Sequence, residues 1–262
     1  MDPALRAAAT GMAAQQTRTE VIANNLANVN TTAFKGSRAH FVDLLYQTVQ
    51  GATAVAGTDA NTLPAVQLGR GTRLAGIQRL HTQGAIEQTG RPLDVAVEGE
   101  GFFQVQMPGG QLGYTRDGTF QISDQGTIVS QQGYAVVPGI RVPADATEIA
   151  ISRTGIVTAT TGHSVATTEL GRLELARFAN PSGLLSLGEN MYQVTPASGD
   201  PVTGFPDDGG MGHLQQGSLE GSNVEIVQEM VDMISAMRAY EINSKAVKNS
   251  EQMAEITNAL IR

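Results

Sequence analysis

Apolar and polar positions divide this chain into three patterns. From Met12 to Lys35, apolar residues recur thinly at Met12, Val21, Ile22, Leu26 and Val29 among Ala, Gln and Asn, with no Gly or Pro to interrupt a helix. Ser222 to Arg262 also runs without either breaker. There a three-four spacing appears at Val227, Met230, Ile234 and Met237, then resumes after a slip at Ile242, Ala246, Met253, Ile256 and Leu260. Ser222 or Asn223 is placed to cap this second helix, with Glu225 and Glu229 in the early turns where the helix dipole favours negative charge. At about 1.5 Å per residue the helix reaches on the order of 57 Å. An apolar seam of that length has to be covered by something distant in sequence, and the N-terminal stripe is the candidate.

Between the two ends the period changes to two. Leu93, Val95 and Val97 alternate with polar or small residues, as do Phe103, Val105 and Met107, and Pro108-Gly109-Gly110 closes the run. Further short strands are predicted at 114–116, 120–122, 128–129, 134–137, 149–151, 173–178 and 191–194, with turns at Asp117-Gly118, Asp124-Gln125-Gly126, Gln132-Gly133 and Asn180-Pro181-Ser182-Gly183. This pattern reads as a compact antiparallel β domain. Gln47 to Leu68 is rich in Ala, Thr, Gly and Gln and poor in large apolar groups, so it reads as a loop or as an extended segment ordered by neighbours.

Composition sharpens this division. The chain has 262 residues and 30 Gly, all but Gly11 lying between Gly36 and Gly221, which confines the turn-rich part to the middle. It has no Cys, which excludes disulfides, thiolate metal sites and thiol nucleophiles. With 17 basic against 25 acidic residues and only three Lys, it lacks the clustered positive charge of a nucleic-acid binder. No stretch approaches roughly 20 apolar residues, so direct membrane insertion is not expected. The opening Met1-Asp2-Pro3-Ala4-Leu5-Arg6 does not read as a cleaved secretory signal.

Candidate chemistry is sparse. His40, His81, His163 and His213 have no partners at metal-ligand spacing. Gly162-His163-Ser164-Val165-Ala166 lacks the final Gly and the following helix of a nucleophile elbow. Gly99-Glu100-Gly101 reads as a turn before a strand, and Asp207-Asp208-Gly209-Gly210 lacks the remaining oxygen-ligand spacing of a calcium loop. No catalytic residue, metal site or cofactor is expected. Two sequence-distant helices with incomplete burial, flanking an acidic β domain, describe an assembly protein that associates with copies of itself.

Specific residues extend that reading. Val21-Ile22-Ala23-Asn24-Asn25-Leu26-Ala27-Asn28-Val29-Asn30-Thr31-Thr32-Ala33-Phe34-Lys35-Gly36 resembles the N-terminal signature of the flagellar basal-body rod and hook protein family. Arg238 to Val247 is similar to its C-terminal signature, and Gly99 to Val105 and Tyr114 to Phe120 resemble its β domain. Within the family the resemblance is to the distal-rod branch. It is carried by Asp43-Leu44-Leu45-Tyr46-Gln47 leading into the stretch that ends at Thr62-Leu63-Pro64, by Gly188 to Tyr192, and by Leu214 to Val224.

The resemblance implies an α+β fold in which terminal helices (1–35 with 223–262) pair as a coiled coil. An extended linker (36–76 with 200–222) then leads to a β-rich outer domain (77–199). It implies a helical tube acting as drive shaft and export channel in the basal body, crossing the periplasm toward the outer membrane. Expected partners are further copies of the chain, proximal rod subunits, hook or hook-junction proteins, surrounding ring proteins and the flagellar export apparatus. Leu26, Val29, Met230, Ile234, Met237, Ile256 and Leu260 are expected to pack helices in the assembly. Asn24, Asn25, Asn28, Tyr240 and Asn243 are expected to fix register, and Gln47, Thr62, Leu63 and Pro64 to belong to a bridging segment ordered only in the polymer. Asn28 and Asn30 suit the left-handed geometry that ends a helix. The competing readings are a proximal rod or hook subunit and, in a different class, a secreted β-domain enzyme acting on cell-wall glycan.

Overall fold

The computed structural model describes residues 3–50, 53–54, 62–63, 65–161 and 167–260. The chain forms two compact units. One is built from Met1–Ala27, Ser37–Arg79 and Glu225–Arg262, the other from Asn28–Gly36 and Leu80–Val224. The fold is α+β.

In the first unit, α1 spans Pro3–Ala27 and α2 spans Ile226–Leu260. The N-terminal helix therefore begins nine residues before Met12 and runs through Gly11, and it opens at Pro3, where a missing N–H costs nothing. Between the helices lies an antiparallel β ribbon. β1 (Ser37–Asp43) pairs with β6 (Thr72–Arg79), β2 (Gln47–Gln50) with β5 (Val66–Leu68), and β3 (Thr53–Ala54) with β4 (Thr62–Leu63). Strand alternation explains the contact with α1: Ser37, Ala39 and Phe41 are half-buried, while Arg38, His40 and Val42 on the other face are exposed. The stretch expected to await neighbours is thus paired within the chain over its described residues. Backbone hydrogen bonds supply what its side chains cannot, because Leu45, Tyr46, Val49 and Val66 all stay exposed.

In the second unit the strands are β7 (Ile86–Gln88), β8 (Val95–Glu98), β9 (Phe102–Gln106), β10 (Leu112–Thr115), β11 (Gln121–Ile122), β12 (Ile128–Val129), β13 (Ala135–Val136) and β14 (Ala146–Ile151). They continue with β15 (Ile156–Thr161), β16 (Thr167–Arg172), β17 (Leu175–Arg177), β18 (Leu185–Gly188), β19 (Met191–Gln193), β20 (Val202–Gly204), β21 (His213–Gln216) and β22 (Ser218–Glu220). The main sheet runs β11-β12-β13-β9-β10-β19-β18, with β17 joining β9 to β20; β14-β15-β16 form a second sheet, and β8–β21 and β7–β22 make two-stranded ladders. The predicted alternation locates β8 and β9, whose Val95, Val97, Phe103 and Val105 enter the core with Phe120, Ile128, Val157, Leu173 and Leu175. At the predicted Asp117-Gly118 turn, a Cβ on Gly118 would lie 1.7 Å from the Val95 carbonyl oxygen, so the turn requires glycine. The near-match to a nucleophile elbow, Gly162 to Ala166, lies outside the described residues.

Candidate assembly surface

α1 and α2 pack against each other in opposite directions, as three contacts at decreasing α2 numbers show. Gly11 faces Asn243, where a Cβ on the glycine would sit 3.0 Å from Asn243 Nδ2. Arg18 Nη2 donates to Asp232 Oδ1 at 2.6 Å. Asn25 Nδ2 donates to Glu229 Oε1 at 3.1 Å. Asn25 is buried and also binds β1 reciprocally, donating to the Ser37 carbonyl at 2.9 Å and accepting from the Ser37 N–H at 2.9 Å. One amide thereby fixes the end of α1 against the starts of both β1 and α2. Glu229 sits above its ordinary carboxylate pKa because of partial burial, an effect opposed by the Asn25 hydrogen bond.

The two faces of α2 differ in chemistry. Toward α1 stand Glu229, Asp232, Met233, Ala236, Ala239, Asn243, Val247 and Ser250, buried or half-buried at three-four spacing. Apart from Met233 and Val247 the stripe is small or polar, so hydropathy does not reveal it. One residue on, rotated by roughly 100°, run Val227, Met230, Ile234 and Met237, and the last three each remain 51% exposed. The expectation that the N-terminal stripe covers this seam within one chain is therefore corrected: α1 occupies the polar stripe, and the apolar seam faces outward. Ile242, Met253 and Ile256 are exposed as well. With 35 residues against 25, α2 is longer than α1 by about 15 Å, so part of it has no α1 to lie against.

The remaining candidates are placed as follows. Leu26, Val29 and Asn28 are half-buried, and Asn24 is exposed. Asn28 accepts from Thr31 Oγ1 at 3.2 Å and its carbonyl accepts from the Thr31 N–H at 3.1 Å. The left-handed residue after the helix is Ala33, at φ 56°, not Asn28 or Asn30. Tyr240 is exposed beside Met237, and Gln47 pairs with Leu68 across the ribbon. Pro64 and the side chains of Thr62, Leu63 and Leu260 lie outside what is described. Neither Ser222 nor Asn223 caps α2, which starts later. Asn223 instead joins three segments of the second unit, accepting from the Gly36 N–H at 2.8 Å and donating to the Leu80 and Thr82 carbonyls at 2.8 and 3.1 Å.

Sequence reasoning missed the most densely charged point of the second unit. Lys35, Glu220 and Arg116 are all buried. Lys35 Nζ donates to Glu220 Oε1 and, at 2.7 Å, to the Thr82 carbonyl. Arg116 Nη1 lies 3.6 Å from Glu220 Oε2, and its guanidinium donates to the Val97 and Gly99 carbonyls at 3.1 and 2.6 Å. The Gly84 N–H completes the set with a 2.9 Å bond to Glu220 Oε1. Burial holds both cations below their ordinary pKa values, and Glu220 opposes the shift in each. The cluster unites three stretches that had looked like separate signatures. Lys35 comes from the segment after α1, Arg116 from the strand–turn of the β domain, and Glu220 from the segment before α2.

Helices at both chain ends, a β unit between them in sequence, and within that unit a buried cluster drawn from three of the signature stretches define a flagellar rod and hook type of structural subunit. Three family profiles match: "Flagella basal body rod protein" over residues 5–35, "Flagellar hook protein FlgE/F/G D1 domain" over 96–159, and "Flagellar basal body rod FlgEFG protein C-terminal" over 215–260. The flagellar basal-body rod protein FlgG of Agrobacterium fabrum is 48% identical over 97% of this chain and 98% of its own length. FlgG of Borreliella burgdorferi is 48% identical over 99% and 98%. FlgG of Caulobacter vibrioides is 43% identical over 98% of each. The chain belongs to the FlgG family of flagellar basal-body rod proteins, a structural family of the basal body rather than an enzymatic one.

Proposed function

We propose that copies of this chain assemble through the outward seam of α2 into the rigid helical tube of the distal rod, which serves as drive shaft and export channel. The observation that carries this reading is the seam itself: Met230, Ile234 and Met237 stay half exposed on a helix whose other face is already occupied by α1. Apolar surface of that length on a structural subunit calls for another subunit. The three-four spacing of the inward residues of α2 supports a coiled-coil-like pairing with α1, and Asn25 and Asn243 set its register. Rigidity then comes from many small packing contacts between subunits. The ribbon stretch from Gln47 to Ala65, with its exposed Val49, bridges to neighbours and stiffens the tube. Proximal rod subunits, hook or hook-junction proteins, ring proteins and the export apparatus are the further partners this role entails. Electron microscopy of the purified chain tests the reading: straight tubes are expected, and a persistently monomeric chain would contradict it.

A further inference from the structure

Oxidation chemistry in this chain is confined to one side-chain type and, at exposed positions, to one helix. With no Cys and no Trp, methionine is its most readily oxidised residue. Of the nine methionines, Met191 is buried, Met107 and Met211 pack against the core of the second unit, and Met12 and Met233 are half-buried on α1 and on the inward face of α2. Among the described residues the exposed ones are Met230 and Met237, each at 51%, and Met253 at 61%, and all three lie on α2. Met230 and Met237 stand on either side of Ile234 at three-four spacing, so they share the outward seam. Met237 also lines an open groove of ≈ 560 Å³ with Thr19 and Tyr240, wide enough to admit a small oxidant.

We propose that Met230 and Met237 are oxidation sites through which a peroxide controls assembly. In the step, a thioether sulfur attacks one oxygen of hydrogen peroxide. The S–O bond forms, the O–O bond breaks, and the departing hydroxide takes the proton of the transferred hydroxyl and leaves as water. Sulfur loses two electrons and the peroxide gains them. The product sulfoxide is polar and accepts hydrogen bonds. On the separate chain water solvates it, so the fold is undisturbed. In the seam it has to be desolvated against an apolar neighbour, which weakens the contact by roughly tenfold for each sulfoxide. The device acts on the subunit before incorporation, because a neighbour covering the seam shields both sulfurs. Peroxide thus halts new tubes and spares finished ones. This deepens the assembly reading and rests on it.

The full chain is treated with hydrogen peroxide before or after assembly, and each methionine is read by peptide mass spectrometry. In the unassembled chain, sulfoxides are expected at Met230 and Met237 ahead of Met107, Met191, Met211 and Met233, with an unchanged helical circular-dichroism signal. The critical concentration for tube formation should rise by roughly a hundredfold, and methionine sulfoxide reductase should restore it. A chain carrying Met230→Leu and Met237→Leu, a nearly volume-conserving exchange, should keep assembling after peroxide, whereas Met253→Leu alone should not protect. Oxidised chains that polymerise as before, a loss that the reductase does not reverse, or protection by Met253→Leu alone overturn this inference and leave the assembly reading standing. Sulfoxides that form at Met230 and Met237 as fast in tubes as in the separate chain overturn the seam as the assembly surface. Failure of the untreated chain to polymerise overturns the assembly reading itself.

Discussion

Gly11 and Asn243 meet across the α1–α2 contact at a distance that leaves no room for a large side chain: a Cβ on Gly11 would lie 3.0 Å from Asn243 Nδ2 and 3.2 Å from its Cγ. A leucine there drives into the opposite helix. Gly11→Leu is expected to weaken the helix pair by about 1–3 kcal/mol, read as a lower midpoint of the helical circular-dichroism signal. Gly11→Ala should change little, since the end of the Asn243 side chain can shift while the helix gains about 1 kcal/mol of propensity.

Lys35 and Glu220 form the centre of the buried cluster in the second unit. Lys35→Met leaves Glu220 buried with Arg116 as its remaining charged partner at 3.6 Å, and breaking a buried pair by removing one member costs about 3–5 kcal/mol. The tyrosine signal reports the loss, since Tyr114 and Tyr192 are buried in this unit. Its urea midpoint should fall markedly in Lys35→Met.

Glu229 gives the helix pair a pH dependence. Its carboxyl lies above the ordinary value of 4.5 because of partial burial. The folded state therefore holds a proton that the unfolded state has released. The stabilisation is complete below the unfolded value and is lost as pH rises through the folded one. Thermal midpoints of the helical signal should rise on going from neutral pH toward 4.5, and Glu229→Gln, which keeps an acceptor for Asn25, should remove that component of the slope.

Much of this architecture is legible in the sequence, because the breaker-free ends and the alternation at Val95 to Val105 are direct consequences of helix and strand periods. What escaped it has physical causes. Gly11 reads as a breaker, yet it lies within α1, where close approach to Asn243 rewards the smallest residue. The inner face of α2 is built from Ala236, Ala239, Asn243 and Ser250, so a hydrophobic pattern assigns the inward role to the neighbouring Met230–Ile234–Met237 seam. Lys35 and Glu220 are joined only by the fold, across 185 positions. The ribbon strands hide because exposed polar residues such as Arg38, His40 and Arg73 dilute their apolar signal.

The ribbon between Gln47 and Ala65 carries a mechanical prediction. Removing residues 47–65 deletes β2, and with it the exposed Val49 and the whole β2–β5 ladder, while leaving the β1–β6 pairing intact. Tubes of the shortened chain should be more flexible, measured as a shorter persistence length in electron micrographs. Tubes as straight as those of the unaltered chain would remove the bridging role.

The outward seam of α2 is the central claim, and Ile234→Asp tests it most directly. Ile234 is half exposed in the single chain, so the substitution should leave the thermal unfolding of the monomer nearly unchanged while abolishing tube formation in electron microscopy. Tubes formed normally by the variant, or a monomer that unfolds because Ile234 was needed inside it, would contradict the account.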